Sequence, residues 1–543
     1  MLTPIFTRRQ LIAALGVCVC LAPALSRPAN GDGPALKRLF PAGAQRGATV
    51  EVAALGDAPK WPVQVWADDP GIHWEALSDK GKFRVSVDPK VPLGRHAIRF
   101  SDADNSTDAL RFVIGQLPEL NEKEPNDGLD KAQAILDLPK LINGVLEKRS
   151  EVDSFAVDLT AGQTLIAAVE AQQGLRAPLD ATLQIVSARG SVLAQNLDTV
   201  GLDPRIVFVA PREGRYYVRV FGFPETPDST IGFAGGENFV YRLSLAHGGL
   251  LQSSRPLAVS ETVETKFELI GIGLQTATAT VQVPPGAARA TWPLTIDGAM
   301  NALMLPVLKI PVLVEQPQPD AVTLQSLPVP CSITGTLERP GQADRYRLSA
   351  QKATKLSMEL HSREFGYPTD GVLTILDASG KELTRADDVR NDVDAKTQWR
   401  PPADGDYTLV VSDAFGAGGS DWHYRVDIQA DPSDVVLTMK SDHFQGKINA
   451  PLDIVVSIDR RDGYAQPVKL RVIGLPDSAK CPEVVSEKDG KSAKEVILQV
   501  TASAPFSGPV RVVGELDSDD KLQRIATAGP DAFISDMWLT IKP

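Results

Sequence analysis

Asp153-Ser154-Phe155-Ala156-Val157 returns 191 residues later as Asp344-Arg345-Tyr346-Arg347-Leu348. Three more blocks keep that register. Asn143-Gly144-Val145-Leu146 matches Thr334-Gly335-Thr336-Leu337. Pro178-Leu179-Asp180-Ala181-Thr182-Leu183-Gln184-Ile185 matches Pro368-Thr369-Asp370-Gly371-Val372-Leu373-Thr374-Ile375. Pro211-Arg212-Glu213-Gly214-Arg215-Tyr216 matches Pro402-Ala403-Asp404-Gly405-Asp406-Tyr407. The offset is 191 at both ends and 190 in the middle. Chance similarity does not hold a register over four blocks, so one folding unit occurs twice. Phe155, Val157 and Leu159 alternate with polar Ser154 and Asp158, the period of a half-buried strand. Tyr217-Val218-Arg219-Val220-Phe221 and Tyr407-Thr408-Leu409-Val410-Val411 are rich in β-branched and aromatic residues. Gly190 and Gly380 stand where a hairpin must turn. The repeated unit therefore reads as a β-sandwich.

The first copy opens on Asn121-Glu122-Lys123-Glu124-Pro125-Asn126-Asp127 and closes its pattern on Pro211-Arg212-Glu213-Gly214-Arg215-Tyr216-Tyr217. With Asn143-Gly144 and Asp153-Ser154-Phe155 between, it resembles the bacterial pre-peptidase C-terminal domain. That resemblance implies a jelly-roll-like sandwich of the kind appended to secreted peptidases, similar to the collagen-binding domains of bacterial collagenases. The second copy matches less well and lacks the Glu-x-Glu-Pro-Asn-Asp opening. The whole chain resembles large secreted proteins of planctomycete-type bacteria.

Outward from the repeat, the chain reads as all-β, with tandem sandwiches filling its length. Two jelly-roll-like units, 121–246 and 322–430, are interspersed with immunoglobulin-like sandwiches at 39–116, 248–316 and 435–543. Residues 315–320 read as a Pro-containing linker. Helix candidates are few, and Asp130 to Leu136 is one. A chain of 543 residues needs several cores.

Residues 1–26 read as an export signal. Arg8 and Arg9 precede an apolar run from Leu11 to Leu21, and Ala24-Leu25-Ser26 offers small residues for cleavage. The apolar run is too short to span a bilayer. Thr7-Arg8-Arg9-Gln10-Leu11-Ile12 resembles a twin-arginine motif, so the Sec and Tat routes both stay open. Losing two arginines and no acid takes the formal charge from -12 to -14. No basic stripe stands out, which argues against nucleic acid as a partner. No later run is long enough to span a membrane. Export leaves two cysteines, Cys331 and Cys481. An oxidising compartment permits a bridge between them, and two buried thiols are the alternative.

The strongest chemical constellation is the acidic opening. In an extended strand, alternate side chains share a face, so Glu122, Glu124 and Asn126 can converge. Asp127 and Asp153 add oxygen donors. Calcium takes about six to eight oxygens. The resemblance adds that related collagen-binding domains bind calcium through such an opening and a later Asp. The expected cofactor is one structural calcium ion, held in the first copy and not in the second. The bland alternative is an acidic interdomain linker. Asp387, Asp388, Asp392 and Asp394 form a second acidic cluster without a complete calcium-loop pattern. The six histidines are scattered. Trp61, Trp66 and Trp74 are either core or a binding platform. The sequence shows no nucleophile elbow, Walker loop or zinc motif. The expectation is an exported, non-enzymatic binding or scaffold protein that recognises an extracellular protein or polysaccharide. The competing expectation is a secreted hydrolase, or the accessory part of one.

Overall fold

The computed structural model describes residues 33–199, 201–225, 232–284, 291–317, 324–387, 394–430, 434–461, 463–516, 523–528 and 534–543. The leader 1–26, Asp388 and Asp392 lie outside the described residues. Of the described residues, 56% are in strands and 2% in helices. Among the described residues ten sheets pair into five sandwiches, each closed on its own apolar core.

The repeat forms the second and fourth sandwiches. One sheet of the second runs in the order Gln133–Ala134, Asp153–Leu159, Gly214–Pro224, Leu179–Ser187, Val192–Asn196. Its partner sheet runs Arg205–Val209, Thr164–Glu170, Val240–Ala246, Lys140–Val145, Glu119–Asn121. The fourth repeats both orders element for element. Even the register is kept, since Asp153 faces Val220 and Asp344 faces Val411. Alternation explains the cores. Phe155, Val157 and Leu159 face inward, as do Tyr346 and Leu348 of the fourth sandwich. Gly190 and Gly380 turn their hairpins at φ 80° and 83°, a backbone that glycine adopts without strain.

The fourth sandwich starts earlier than its sequence pattern suggests. Val312–Val314 pairs in parallel with Cys331–Thr336, as Glu119–Asn121 pairs with Lys140–Val145. Residues 130–136 do not form a helix. They make turns and the short strand Gln133–Ala134, which pairs with Asp153–Leu159. The α-helix instead is Gln172–Leu175, capped by Asp203, whose carboxylate accepts the N–H groups of Gln172 and Gln173 at 2.9 and 3.1 Å. Asp394 does the same at the equivalent position, taking the N–H groups of Ser362 and Arg363 at 2.9 Å each. Asp394 is therefore a buried backbone cap rather than part of a solvated loop.

The tryptophans are packing residues. Trp74 meets Phe83, Phe100 and Phe112 edge-on at 5.3 to 5.7 Å. Trp66 packs on Trp538 of the fifth sandwich. Cys331 and Cys481 are free thiols. Cys331 is buried in the core of the fourth sandwich and Cys481 lies half-buried against the core of the fifth, so the bridge between them is not made.

Buried arginines bolt each repeat unit to the sandwich before it. Arg242 donates to the Val113 carbonyl at 2.7 Å and pairs with Glu119 at 2.6 Å. Arg425, its counterpart, reaches the Leu257 carbonyl at 3.3 Å. Leu117, Leu141, Ile166, Leu250 and Met300 form an apolar seam under the first three sandwiches. Arg99 of the first sandwich, fully buried, pairs with Asp442 of the fifth at 2.8 Å. The segment entering the second sandwich is held through Leu117 in the apolar seam and Glu119 on Arg242. Among the described residues no helix is long and apolar enough to cross a membrane.

Candidate metal centre

The acidic opening follows the strand Glu119–Asn121 and crosses the edge of the second sandwich. The Glu122 N–H donates to the Asn143 carbonyl at 2.9 Å, which extends the parallel pairing by one residue. Its side chain then folds inward, and Oε1 accepts the Val145 N–H at 2.5 Å. The Lys123 N–H is held by Gln133 Oε1 at 2.7 Å. The Asn126 N–H donates to Glu124 Oε2 at 3.1 Å, and the Asn126 carbonyl accepts the Ser154 N–H at 3.2 Å. These bonds lay the opening against the first turn of the strand Asp153–Leu159.

The result is a convergent oxygen cluster. One carboxylate oxygen each from Glu122, Glu124 and Asp153 lies within 4.8 Å of the others. Asp153 is fully buried and Glu122 is half-buried, while Glu124 is exposed. Tyr241 is also buried, and its hydroxyl donates to Asp153 Oδ2 at 2.6 Å. Glu122 Oε2 lies 3.1 Å from the same hydroxyl. Gly144 makes room for this ring, because a Cβ there would stand 2.2 Å from Tyr241 Cζ.

Two carboxylates in a buried site are costly when charged. Burial pushes the Asp153 carboxyl well up, and the neighbouring Glu122 charge adds to this. Burial also pushes Glu122 up, against the pull of the Val145 N–H. The pair therefore retains a proton unless a cation replaces it. Asn126 Oδ1, Asn126 Nδ2 and Asp153 Oδ1 are buried with no hydrogen-bond partner among the described residues. An unpaired buried oxygen costs roughly 1–3 kcal/mol. The donors are all hard oxygens, the class that calcium takes. The residues present fit a calcium ion.

Asp127 stands outside this group, facing Lys148 Nζ at 3.9 Å. Glu151 was not legible as a site residue. It is buried, accepts the Lys148 N–H at 3.1 Å, and adds negative charge beside Glu124 and Asp153. It lies in the turn before the strand Asp153–Leu159, where its N–H donates to the Lys148 carbonyl at 3.3 Å, so no strand period marks it in the sequence.

The fourth sandwich revises the expectation that its opening is lost. Glu315, inside the stretch that reads as a linker, takes the place of Glu122. Its Oε2 accepts the Thr336 N–H at 3.0 Å, and Gln325 Oε1 holds the Gln316 N–H at 2.8 Å. Pro317 then stands where the second glutamate would be. Residues 318–320 lie outside the described residues. Asp344 keeps its tyrosine, with Tyr424 Oη donating at 2.7 Å.

Asp108, Asp442 and His443 form the other cluster with metal-ligand spacing among the described residues. Asp442 is committed to the Arg99 guanidinium and to His443, so this group reads as an ion-pair junction.

Residues 151–222 match the family model of the bacterial pre-peptidase C-terminal domain. This chain carries a pre-peptidase C-terminal (PPC) domain. The match covers most of the second sandwich and includes Asp153. In structure the chain is similar to the PPC domain of a collagenase from Bacillus anthracis, at 12% identity and a TM-score of 0.17, over 21% of this chain and 100% of that one. It is also similar to the M60 catalytic domain with two CBM51 domains of Clostridium perfringens ZmpB, at 9% identity and a TM-score of 0.14, over 73% of this chain and 46% of that one. No curated protein matches the chain in sequence. The match begins at residue 151, so the acidic opening lies upstream of the matched part of the PPC domain.

Proposed function

We propose that this is an exported, non-enzymatic binding or scaffold protein whose PPC domain is stabilised by one calcium ion. Its sandwiches present surfaces to an extracellular protein or polysaccharide. The observation that carries the calcium reading is the buried pair of unpartnered oxygens, Asp153 Oδ1 and Asn126 Oδ1, beside Glu122 and Glu124. Calcium bound there would supply the positive charge that the cluster lacks. Glu122, Glu124, Asn126 and Asp153 would hold it, with Tyr241 fixing Asp153. Because the opening runs from the edge strand Glu119–Asn121 of one sheet to Asp153 of the other, an ion at this point would tie together the two sheets of the PPC domain.

The binding reading is supported by the PPC match, since PPC domains are non-catalytic modules of extracellular proteins. A pull-down of purified chain on a panel of insoluble polysaccharides and matrix proteins, with calcium and with chelator, tests it. Retention on one class of polymer supports the reading. Turnover of casein, collagen or a glycan by purified chain, abolished by a point mutation, contradicts it.

A further inference from the structure

The two copies of the repeat guard one sheet edge differently. Arg205–Val209 is the edge strand of its five-stranded sheet in the second sandwich, and Lys396–Trp399 is its counterpart in the fourth. Leu165 stands opposite Phe208, and Leu356, 191 residues later, stands opposite Trp399. Val207 therefore corresponds to Gln398 and Val209 to Arg400. Ile206 and Phe208 face the core, which turns both valines outward. Val207 is 43% exposed and Val209 57%. Natural sheets protect an open edge with charged or polar side chains. The fourth sandwich does so with Gln398 and Arg400, both exposed. The second presents valine at both positions.

The backbone of this edge is open at the same valines. The Ala210 N–H donates to the Gln163 carbonyl at 2.9 Å, and the Val169 N–H to the Pro204 carbonyl at 3.0 Å. Bonded and non-bonded pairs alternate along an antiparallel ladder. Ile206 and Phe208 thus take the bonds to the strand Thr164–Glu170, and Val207 and Val209 turn their N–H and C=O groups to the open side. Arg205, the other outward residue, gives its N–H to Asn196 Oδ1 at 3.0 Å. The valine side chains also continue an existing interface. Val207 stands opposite Ile166, which is fully buried in the apolar seam with Leu250 and Met300 of the third sandwich. The seam therefore reaches the surface at the open edge.

We propose that this edge pairs with the same strand of a second copy of the chain, antiparallel about a two-fold axis. A strand that offers unpaired backbone groups and valines at alternate positions is its own complement, and two-fold dimers are the commonest closed assembly. An axis through Phe208 sets Val207 against the partner's Val209. Each valine pair then exchanges both of its backbone bonds, and the two five-stranded sheets become one. The bond from Arg205 to Asn196 stays intact.

The test is sedimentation velocity of the purified chain over a concentration series. It is run in chelator, so that the calcium reading stands or falls separately. A dimer that grows with concentration is expected for wild type. Val207→Gln/Val209→Arg puts the fourth sandwich's residues at exposed positions, so the fold is kept, as circular dichroism checks. Val207→Pro removes an outward N–H that the ladder does not use. Each variant should weaken the dimer about tenfold or more. Val263→Gln, which removes an exposed valine outside the edge strand, behaves as wild type. A wild type that stays monomeric, a dimer that either edge variant retains at full strength, or a dimer lost in Val263→Gln overturns the proposal.

Discussion

The second and fourth sandwiches share strand order and register and differ in how they satisfy one buried aspartate. Asp153 and Asp344 each begin the equivalent part of a strand and each accept a tyrosine hydroxyl. In the fourth sandwich Gln342 donates Nε2 to Asp344 Oδ1 at 2.8 Å. The corresponding residue in the second is Glu151, which cannot donate when ionised, and Asp153 Oδ1 is left without a partner. The fourth also replaces Phe155 with Tyr346, whose hydroxyl lies 2.6 Å from that of Tyr424. Protein donors close the site in one copy. In the other, the carboxylates stay open to a cation. An amide for a carboxylate at Gln342, with Tyr346 for Phe155 and Pro317 for Glu124, distinguishes the two copies within one strand order.

The comparison can be broken from either side. The largest effect expected is that of calcium itself. At a concentration about a hundredfold above Kd, it should stabilise the chain by about 2.7 kcal/mol and raise the first melting transition by several degrees. Glu122→Ala/Glu124→Ala should abolish the rise, as read by calorimetric melting. Next in size is Gln342→Glu, which puts a third carboxylate beside Glu315 and Asp344. It should destabilise the chain in chelator by about 1–3 kcal/mol, measured by urea titration. The reverse exchange, Glu151→Gln, gives Asp153 an amide donor. It should stabilise the calcium-free chain by about 1 kcal/mol and weaken calcium binding in calorimetric titration.

A pH series sharpens the same point. The carboxyls of Asp153 and Glu122 are raised in the calcium-free fold. Their contribution to stability is therefore fully present below the unfolded value near 4 and is lost as pH rises through the folded values. Calcium takes over where the protons leave, so the gain in Tm from calcium should be larger at pH 8 than at pH 5. The smallest effect is that of Tyr346→Phe. It removes one hydroxyl pair and should cost the fourth sandwich about 1 kcal/mol, with no change in calcium binding.

The fold was readable because alternation and register are local signals. Phe155, Val157 and Leu159 announce a strand, and four matched blocks announce its repeat. The glutamates and Asp153 were readable as a site because their side-chain type and spacing suffice to name oxygen donors. What escaped depended on contacts far apart in the chain. Tyr241 comes from a strand almost 90 residues after Asp153. Glu315 looked like linker because a parallel edge strand of three residues, Val312–Val314, carries too little pattern to detect. Asp394 reads as one acid of a loop until the backbone N–H groups it caps are in place. The two cysteines are far apart in sequence, and only folding shows that each belongs to a separate core.

The most direct measurement is the calcium stoichiometry of the full chain by isothermal titration calorimetry near pH 8. The account predicts one ion per chain in wild type, none in Glu122→Ala/Glu124→Ala, and one in Asp344→Asn. No binding in wild type, two ions per chain, or an ion retained by the glutamate variant would contradict it.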